Sequence, residues 1–382
     1  MRKFFQELLD FFRKGDMILL GLCLLLTVIG VVIISSATAW MGATRFVVIQ
    51  LLAAMIGIFL FAVISSIDLD AIMEYRLFLV VFNVLFLLML IPFGADHGGN
   101  RSWLDIPGLP FEIQVAEILK TTYILIMASV MAFHQNRLSN YKPVMHMVLH
   151  LGILVGLNMV LSKDAGVSLI FVFIFIGMAF GGGVSLAWFA LAIGAIAVIF
   201  PVIFPYLGEH QQNRIKILFD ETIDPQGINE RYHYMMNLKS LTGGGLTGQG
   251  LFNGNRTQGG NLFAQHTDYI FSSIGEELGF FGCVMIMLLE LGIIARCIMV
   301  GMKCPDYMRR IICFGAASAL TFQVMINIGM CIGVMPVIGL TLPLISYGGS
   351  SVVTIYAMLG LVSGSHARPQ SQSHERYIQP YR

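Results

Sequence analysis

The chain has 382 residues, of which 57% are hydrophobic and only 12% charged, against about 25% charged in an ordinary soluble domain. Twenty-three basic and 22 acidic side chains leave a net charge of +1, so neither a disordered polyelectrolyte nor a basic nucleic-acid binder is indicated, and no nucleic-acid partner is expected. There are too few charges to coat a water-soluble globule, and the bilayer becomes the expected solvent.

In chain order, residues 1–16 place Phe4, Phe5, Leu8, Leu9, Phe11 and Phe12 among charges and read as an amphipathic segment lying on the membrane. Apolar runs of about 20 residues then follow, each long enough to cross a ~30 Å hydrocarbon layer as a helix. Residues 17–44, 46–67 and 77–95 contain no Asp, Glu, Lys or Arg. Residues 118–136 are interrupted by Lys120, and 143–162 form a fifth run. Residues 165–208 hold two spans, with Gly181-Gly182-Gly183 as the turn. Residues 278–295 are broken only by Glu290, and 311–367 divide into two spans at Pro336, Pro343 and Gly348-Gly349. The expectation is an all-α integral membrane protein with ten transmembrane helices over residues 17–367. A long external loop at about 209–267 lies between spans seven and eight, and 368–382 form a tail.

The first run is too long for a cleavable signal peptide and lacks a clear small-residue cleavage site. An even number of spans puts both termini on one side. Arg2, Lys3, Arg13, Lys14, Arg137, Lys142, Arg296, Lys303, Arg309, Arg310 and Arg368 all fall on that side, which the positive-inside rule makes cytoplasmic. A multi-pass protein of a cytoplasmic membrane is expected. The six cysteines form no Cys-x-x-Cys and read as small packing residues.

Polar residues kept at membrane depth or just outside it mark candidate sites. Three patches qualify, all on the external side. The first, residues 98–120, includes Arg101, Trp103, Glu117 and Lys120; the last two are three apart and share a helix face. A local ion pair tethering the helix end is the plain alternative. The second is the turn Ser162-Lys163-Asp164-Ala165-Gly166, which also reads as an ordinary polar loop. The third combines Arg214 and Lys216, the glycine-rich run at 242–250, and Gln265-His266-Thr267-Asp268, with Glu276 and Glu277 beyond. A loop of this length without obvious structure is usually functional. Its glycines can present N–H groups to a phosphate or simply make turns; no Gly-Lys-Ser/Thr closes them into a Walker loop. Asp268 sits between a polar loop and an apolar helix, where desolvation raises a carboxyl towards the range of a working base; as a helix N-cap it would be merely structural. His146 and His150 are i,i+4 on one helix and read as a packed or interfacial pair rather than a metal site.

His266-Thr267-Asp268-Tyr269-Ile270-Phe271 with Gly275-Glu276-Glu277-Leu278-Gly279 resembles the signature of SEDS proteins, the bacterial shape, elongation, division and sporulation family whose main branches are RodA and FtsW. Asp224-Pro225-Gln226-Gly227, Asn327-Ile328-Gly329-Met330, Met335-Pro336-Val337 and the block from Leu342 through Ser346-Tyr347-Gly348-Gly349 to Ser351 resemble it too, so the likeness spans essentially the whole chain. It implies a peptidoglycan glycosyltransferase that polymerises lipid II and releases undecaprenyl pyrophosphate, working with a class B penicillin-binding protein in the membrane. It implies Asp268 as the catalytic acid position and Glu117, Lys120, Asp164 and Arg214 as substrate-binding, together with His266, Thr267, Ser346, Tyr347 and Gly348 of the signature blocks. The chain departs from the family in having Val115-Ala116-Glu117 for Pro-Ser-Glu and Lys163-Asp164 for Pro-Asp. Arg101 also stands one place before the usual Arg-Trp position, which Ser102 fills. Branch features are mixed and lean to RodA.

The chemistry implied requires a base for a sugar hydroxyl, assigned to Asp268, and cations for the departing pyrophosphate, assigned to Lys120 and Arg214. A divalent Mg or Mn ion is a further candidate there. Two other readings remain open: a flippase for a lipid-linked precursor, which calls for charges deep in several helices, and a non-catalytic scaffold, for which Asp268 is dispensable.

Overall fold

The computed structural model describes residues 14–70, 75–97, 100–105, 112–206, 208, 212–213, 216–218 and 230–368. The amphipathic segment before residue 14, Arg214, and the tail beyond 368 lie outside them. The helices in chain order are α1 (Met17–Ala37), α2 (Thr44–Ser66), α3 (Arg76–Leu88), the short α4 (Leu90–Phe93), α5 (Val115–Phe133), α6 (Tyr141–Leu161), α7 (Ala165–Gly182), α8 (Leu186–Ile203), α9 (Glu230–Gly243), the short α10 (Asn255–Gln258), α11 (Ile270–Lys303), α12 (Tyr307–Ile332) and α13 (Gly349–Ala367).

Among the described residues, nine helices are long and apolar enough to cross a membrane, α3 and α4 counting as one. Where the last span was expected the chain forms the helix α13, which is not among the nine; Ser350, Ser351, Thr354, Ser363 and Ser365 make it less apolar. Its neighbours rather than lipid receive that polarity. Thr27 of α1 hydrogen-bonds Tyr356 at 2.9 Å, and Ser65 of α2 meets Ser363 at 2.8 Å. Gly360 lets the backbones close up, since a Cβ there would lie 3.0 Å from the Phe61 carbonyl oxygen. Small residues at such crossings replace the hydrophobic drive that lipid removes. α5 and α12 are likewise mostly buried, whereas α8 has no buried residue.

The eighth expected span is longer than the charge-free run suggested. α11 starts at Ile270, ahead of Glu276 and Glu277, and is broken at Gly279, whose φ is 68°. The two acids enter the helix because each is saturated with donors. Glu276 accepts from the Thr257 N–H at 2.9 Å, the Thr257 hydroxyl at 2.7 Å and the Arg256 N–H at 3.0 Å. Glu277 accepts from Ser36 at 2.6 Å and Gln258 at 2.9 Å. The glycine-rich run fills the break. The N–H groups of Gln249 and Gly250 donate to the carbonyls of Glu276 and Glu277, both at 2.9 Å, and the Phe280 N–H returns to Gly245 at 2.9 Å. Gly244 and Gly248 lie so close to the carbonyls of Gly275 and Glu277 that a Cβ would collide. The run therefore repairs the helix break, and these N–H groups are not free to cradle a phosphate. The described part of the long loop is not structureless, since it holds α9 and α10.

A small antiparallel sheet, unexpected from the sequence, caps the helices between α4 and α5: β1 (Gly94–His97), β2 (Asn100–Leu104) and β3 (Ile113–Gln114), in the order β1-β2-β3. At the opposite end, Asp16 caps α1 and pairs with Arg296 at 2.8 Å, and Arg309 reaches both oxygens of Asp70 at 3.2 Å. His146 packs against His150 with ring centroids 4.8 Å apart and the rings tilted, and among the described residues no group of three or more His, Cys, Asp or Glu converges to hold a metal.

α1 touches the segment before α13 through Gly30, where a Cβ would sit 2.7 Å from the Leu344 carbonyl oxygen, while nothing lies within 4 Å of Gly21. Gly30→Leu should therefore destabilise the chain by about 1–3 kcal/mol through overpacking. Gly21→Ala should be neutral or gain roughly 0.5–1 kcal/mol. Thermal melting in detergent checks both, and a Gly30→Leu variant melting with wild type would mean the approach is not tight.

Candidate active site

The chain entering α11 is held by three successive carbonyls, each gripped by a different group. The His266 carbonyl accepts from the Tyr347 N–H at 2.8 Å, and that of Thr267 from the Ser346 hydroxyl at 2.7 Å. The Asp268 carbonyl accepts from the Asn327 amide at 2.8 Å, and the same amide also holds Leu340 at 2.6 Å. Gln50, buried in α2, closes the grip by donating to the Ser346 carbonyl at 3.1 Å and accepting from the Gly348 N–H at 3.2 Å.

The Asp268 side chain is left out of this arrangement. Its carboxylate has no hydrogen bond or ion pair among the described residues. The cap position of α11 is Tyr269, with no side-chain capping bond, so the N-cap alternative does not apply. Asp268 is partly buried beside Gly339, whose φ of 77° favours glycine; a Cβ there would stand 3.5 Å from Oδ2, in ordinary contact. Burial, and secondarily the charge of Asp164, pushes the Asp268 carboxyl up to about 6.

Asp164 caps α7 by accepting from the Val167 N–H at 3.1 Å, and its other oxygen accepts from Ser102 of β2 at 3.0 Å. Gly166 is required here: a Cβ would run into Ile338, the residue before Gly339, so the glycine brings the Asp164 turn against the segment facing Asp268. β2 pairs in turn with β3, matching Trp103 with Gln114, and β3 leads directly into α5. On the first turns of α5, Lys120 Nζ donates to Glu117 at 2.8 Å with both side chains buried, and Thr354 of α13 donates to the other Glu117 oxygen at 3.1 Å. The lysine's two remaining N–H groups have no partner among the described residues.

The sheet thus brings Glu117, Lys120 and Asp164 to the same end of the bundle as Asp268. His266 packs its ring 4.9 Å from Phe46, which meets Tyr347 edge-on at 4.9 Å. Burial lowers the His266 pKa, favouring the neutral ring, and its Nδ1 is buried without a partner. Ser346 spends its hydroxyl on Thr267 and the Leu342 N–H at 2.8 Å, and Gly348 spends its N–H on Gln50, so both hold the loop carrying Asp268. Arg214 lies outside the described residues. Gln50, Ser102, Asn327 and Gly339 are site residues that the sequence reading did not single out as such. A lone Gln in an otherwise apolar span was a usable sign for Gln50, and Asn327 stood within a quoted motif; nothing local marked Ser102.

A family model described as "Cell cycle protein", covering FtsW, RodA and SpoVE, matches residues 16–370. The chain is 30% identical over 362 residues to a probable peptidoglycan glycosyltransferase FtsW of Geobacter sp. (strain M18), covering 91% of this chain and 95% of that one. It is 29% identical over 296 residues to the peptidoglycan glycosyltransferase MrdB of Escherichia coli K12, covering 76% and 77%. A solved chain from a peptidoglycan synthase complex, studied for its coordination of polymerization and crosslinking, superposes with a TM-score of 0.77 at 28% identity, covering 92% of this chain and 97% of that one.

Removing one partner of a buried ion pair strands the other charge at a cost of about 3–5 kcal/mol. Lys120→Met should accordingly lower the melting temperature markedly. The double variant Glu117→Gln, Lys120→Met should recover most of it, because Gln keeps an acceptor for Thr354. Equal melting of the single and double variants would show that the two charges are not coupled.

Proposed function

The chain belongs to the FtsW, RodA and SpoVE family of cell cycle proteins, the SEDS family, and we propose that it is a peptidoglycan glycosyltransferase polymerising lipid II into glycan strands during cell elongation or division. The observation carrying this reading is Asp268: a carboxylate raised to about 6, without a partner among the described residues, on a loop whose carbonyls are held by three separate groups. The relatives named peptidoglycan glycosyltransferases support the reaction class.

In the proposed reaction a sugar hydroxyl attacks the anomeric carbon of a second lipid-linked disaccharide. Asp268 takes the hydroxyl proton as the new C–O bond forms, and the bond to undecaprenyl pyrophosphate breaks. A carboxyl near 6 is ionised at neutral pH yet more basic than an ordinary aspartate, which suits this task. Lys120, held by Glu117, offers unshared N–H groups to the growing charge on the leaving pyrophosphate; Arg214 is proposed for the same role. Asp164 keeps the Asp268 carboxyl basic through its negative charge while its own oxygens are occupied by Ser102 and the α7 N–H. With Asp164 so engaged, and no group of three or more His, Cys, Asp or Glu converging among the described residues, the described donor set does not fit a protein-held divalent ion.

Among the described residues the charged groups collect at helix ends, with Glu290 the mid-span exception, which favours chemistry at the membrane edge over translocation. A class B penicillin-binding protein is the proposed partner; the superposition on a chain of a peptidoglycan synthase complex supports it. Both termini are proposed to face the cytoplasm, from the basic asymmetry of the short loops.

Purified chain incubated with lipid II should yield glycan polymer, and Asp268→Asn should reduce the rate by about 10²–10⁴-fold. Its melting temperature should stay near wild type, because the carboxylate has no partner among the described residues to lose. Polymer made by Asp268→Asn at the wild-type rate would sink the assignment. The wild-type rate should rise with pH up to a plateau above about pH 6, since only ionised Asp268 can accept the proton. A rate already on its plateau at pH 5 would contradict the raised pKa.

Topology is open to cysteine labelling from outside, with little background because all six native cysteines are free and buried. A cysteine at Gln249 should label and one at Arg137 should not; the reverse pattern would invert the orientation.

A further inference from the structure

Beside the site, but on the other face of β2, lies a cavity of about 280 Å³ whose lining includes Ile91, Asp96, Arg101, Val160 and Lys163. Side chains alternate faces along a strand. Ser102 points inward and bonds Asp164 at 3.0 Å, so Arg101, one residue earlier, lies on the opposite face. The Arg101 guanidinium is oriented by two backbone carbonyls, those of Gly94 at 2.9 Å and Ile91 at 3.1 Å, and has no carboxylate partner among the described residues. Lys163 likewise has no hydrogen bond or ion pair among them. Its φ of 58° lies in the left-handed region, which the proline usual to the family cannot reach. Arg101 and Lys163 are thus two of the chain's departures from the family pattern, and both line one cavity.

The remaining lining indicates what these cations face. Ile91 is 56% exposed and Val160 74% exposed, each at the end of a helix read as a membrane span, so the cavity's apolar rim borders the hydrocarbon. Two cations against one acid, Asp96, leave the lining net positive. A ligand for this place carries an anionic phosphate and an acyl chain. We propose that the cavity is an accessory site for an anionic phospholipid, with the phosphate on Arg101 and Lys163 and an acyl chain along Ile91 and Val160. Its lining does not include Asp268, and its readout is lipid binding, so it stands or falls independently of the polymerase reading.

Phosphatidylglycerol is titrated into the detergent-solubilised full chain and bound lipid is followed by native mass spectrometry, with phosphatidylcholine and inorganic phosphate as parallel probes. Phosphatidylglycerol should bind in preference to phosphatidylcholine. Arg101→Gln with Lys163→Asn, where Asn tolerates the left-handed backbone, should weaken its binding about ten-fold or more, at roughly one surface charge's worth per residue. The charge-retaining swap Arg101→Lys with Lys163→Arg should bind within about two-fold of wild type, which separates a lost site from a lost fold. Equal phosphatidylglycerol affinity in wild type and the charge-removed variant would overturn the proposal. So would displacement of the lipid by equimolar inorganic phosphate, which would give the cavity to a soluble anion.

Discussion

A carboxylate at the edge of a membrane serves as a base only if the protein withholds every partner from it, and burial makes that costly. The region around Asp268 is organised by this constraint. Its neighbouring acids are all supplied with donors: Asp164 by Ser102 and a helix N–H, Glu117 by Lys120 and Thr354, Glu276 by the Arg256–Thr257 turn, Glu277 by Ser36 and Gln258. Asp268 is anchored through its carbonyl instead, so the loop is rigid while the side chain stays free. The tendency of burial to protonate the group is thereby converted into basicity.

Rigidity in this region comes from backbone approaching backbone. Gly30 lets α1 touch the segment at Leu344, Gly166 lets the α7 turn touch Ile338, and Gly244 and Gly248 let a loop fill the break in α11. Each contact removes a side chain that would hold two elements apart. Three of these approaches surround the segment 338–348 and the head of α11, the two elements between which Asp268 lies. The hydrogen bonds released at the Gly279 break are recovered by Gln249, Gly250 and Phe280, as a low-dielectric surrounding demands.

The short sheet shows how small a sequence change redirects charge. In a strand, moving a residue by one place moves its side chain to the other face. With serine beside Trp103, Asp164 receives a neutral hydroxyl rather than a guanidinium, and its negative charge remains able to act on Asp268. The arginine one place earlier turns to the membrane-side cavity with Lys163.

Composition and charge-free runs were enough to determine a multi-pass helical membrane protein, because lipid tolerates only backbones that satisfy themselves and side chains that are mostly apolar. The motifs around Asp268, Glu117, Lys120 and Asp164 were legible as well, since they lie in short contiguous blocks. The start of α11 was not legible: Glu276 and Glu277 look like the end of an apolar run until their donors from Ser36 and the 256–258 turn are known. Nor were the small sheet, the structural use of the glycine-rich run, or the roles of Gln50, Ser102 and Gly339. Gln50, Ser102, Gly339 and the glycine-rich run each act on residues well outside their own stretch of chain, and local pattern carries no information about such pairings; the strands of the sheet are close in sequence but too short to show a period-two pattern. Sequence thus determined which residue types are candidates for the chemistry and that the chain is a membrane protein. Only tertiary structure decided that Asp268 keeps its carboxylate unpaired among the described residues, because whether a group has a partner depends on what the rest of the chain brings within reach.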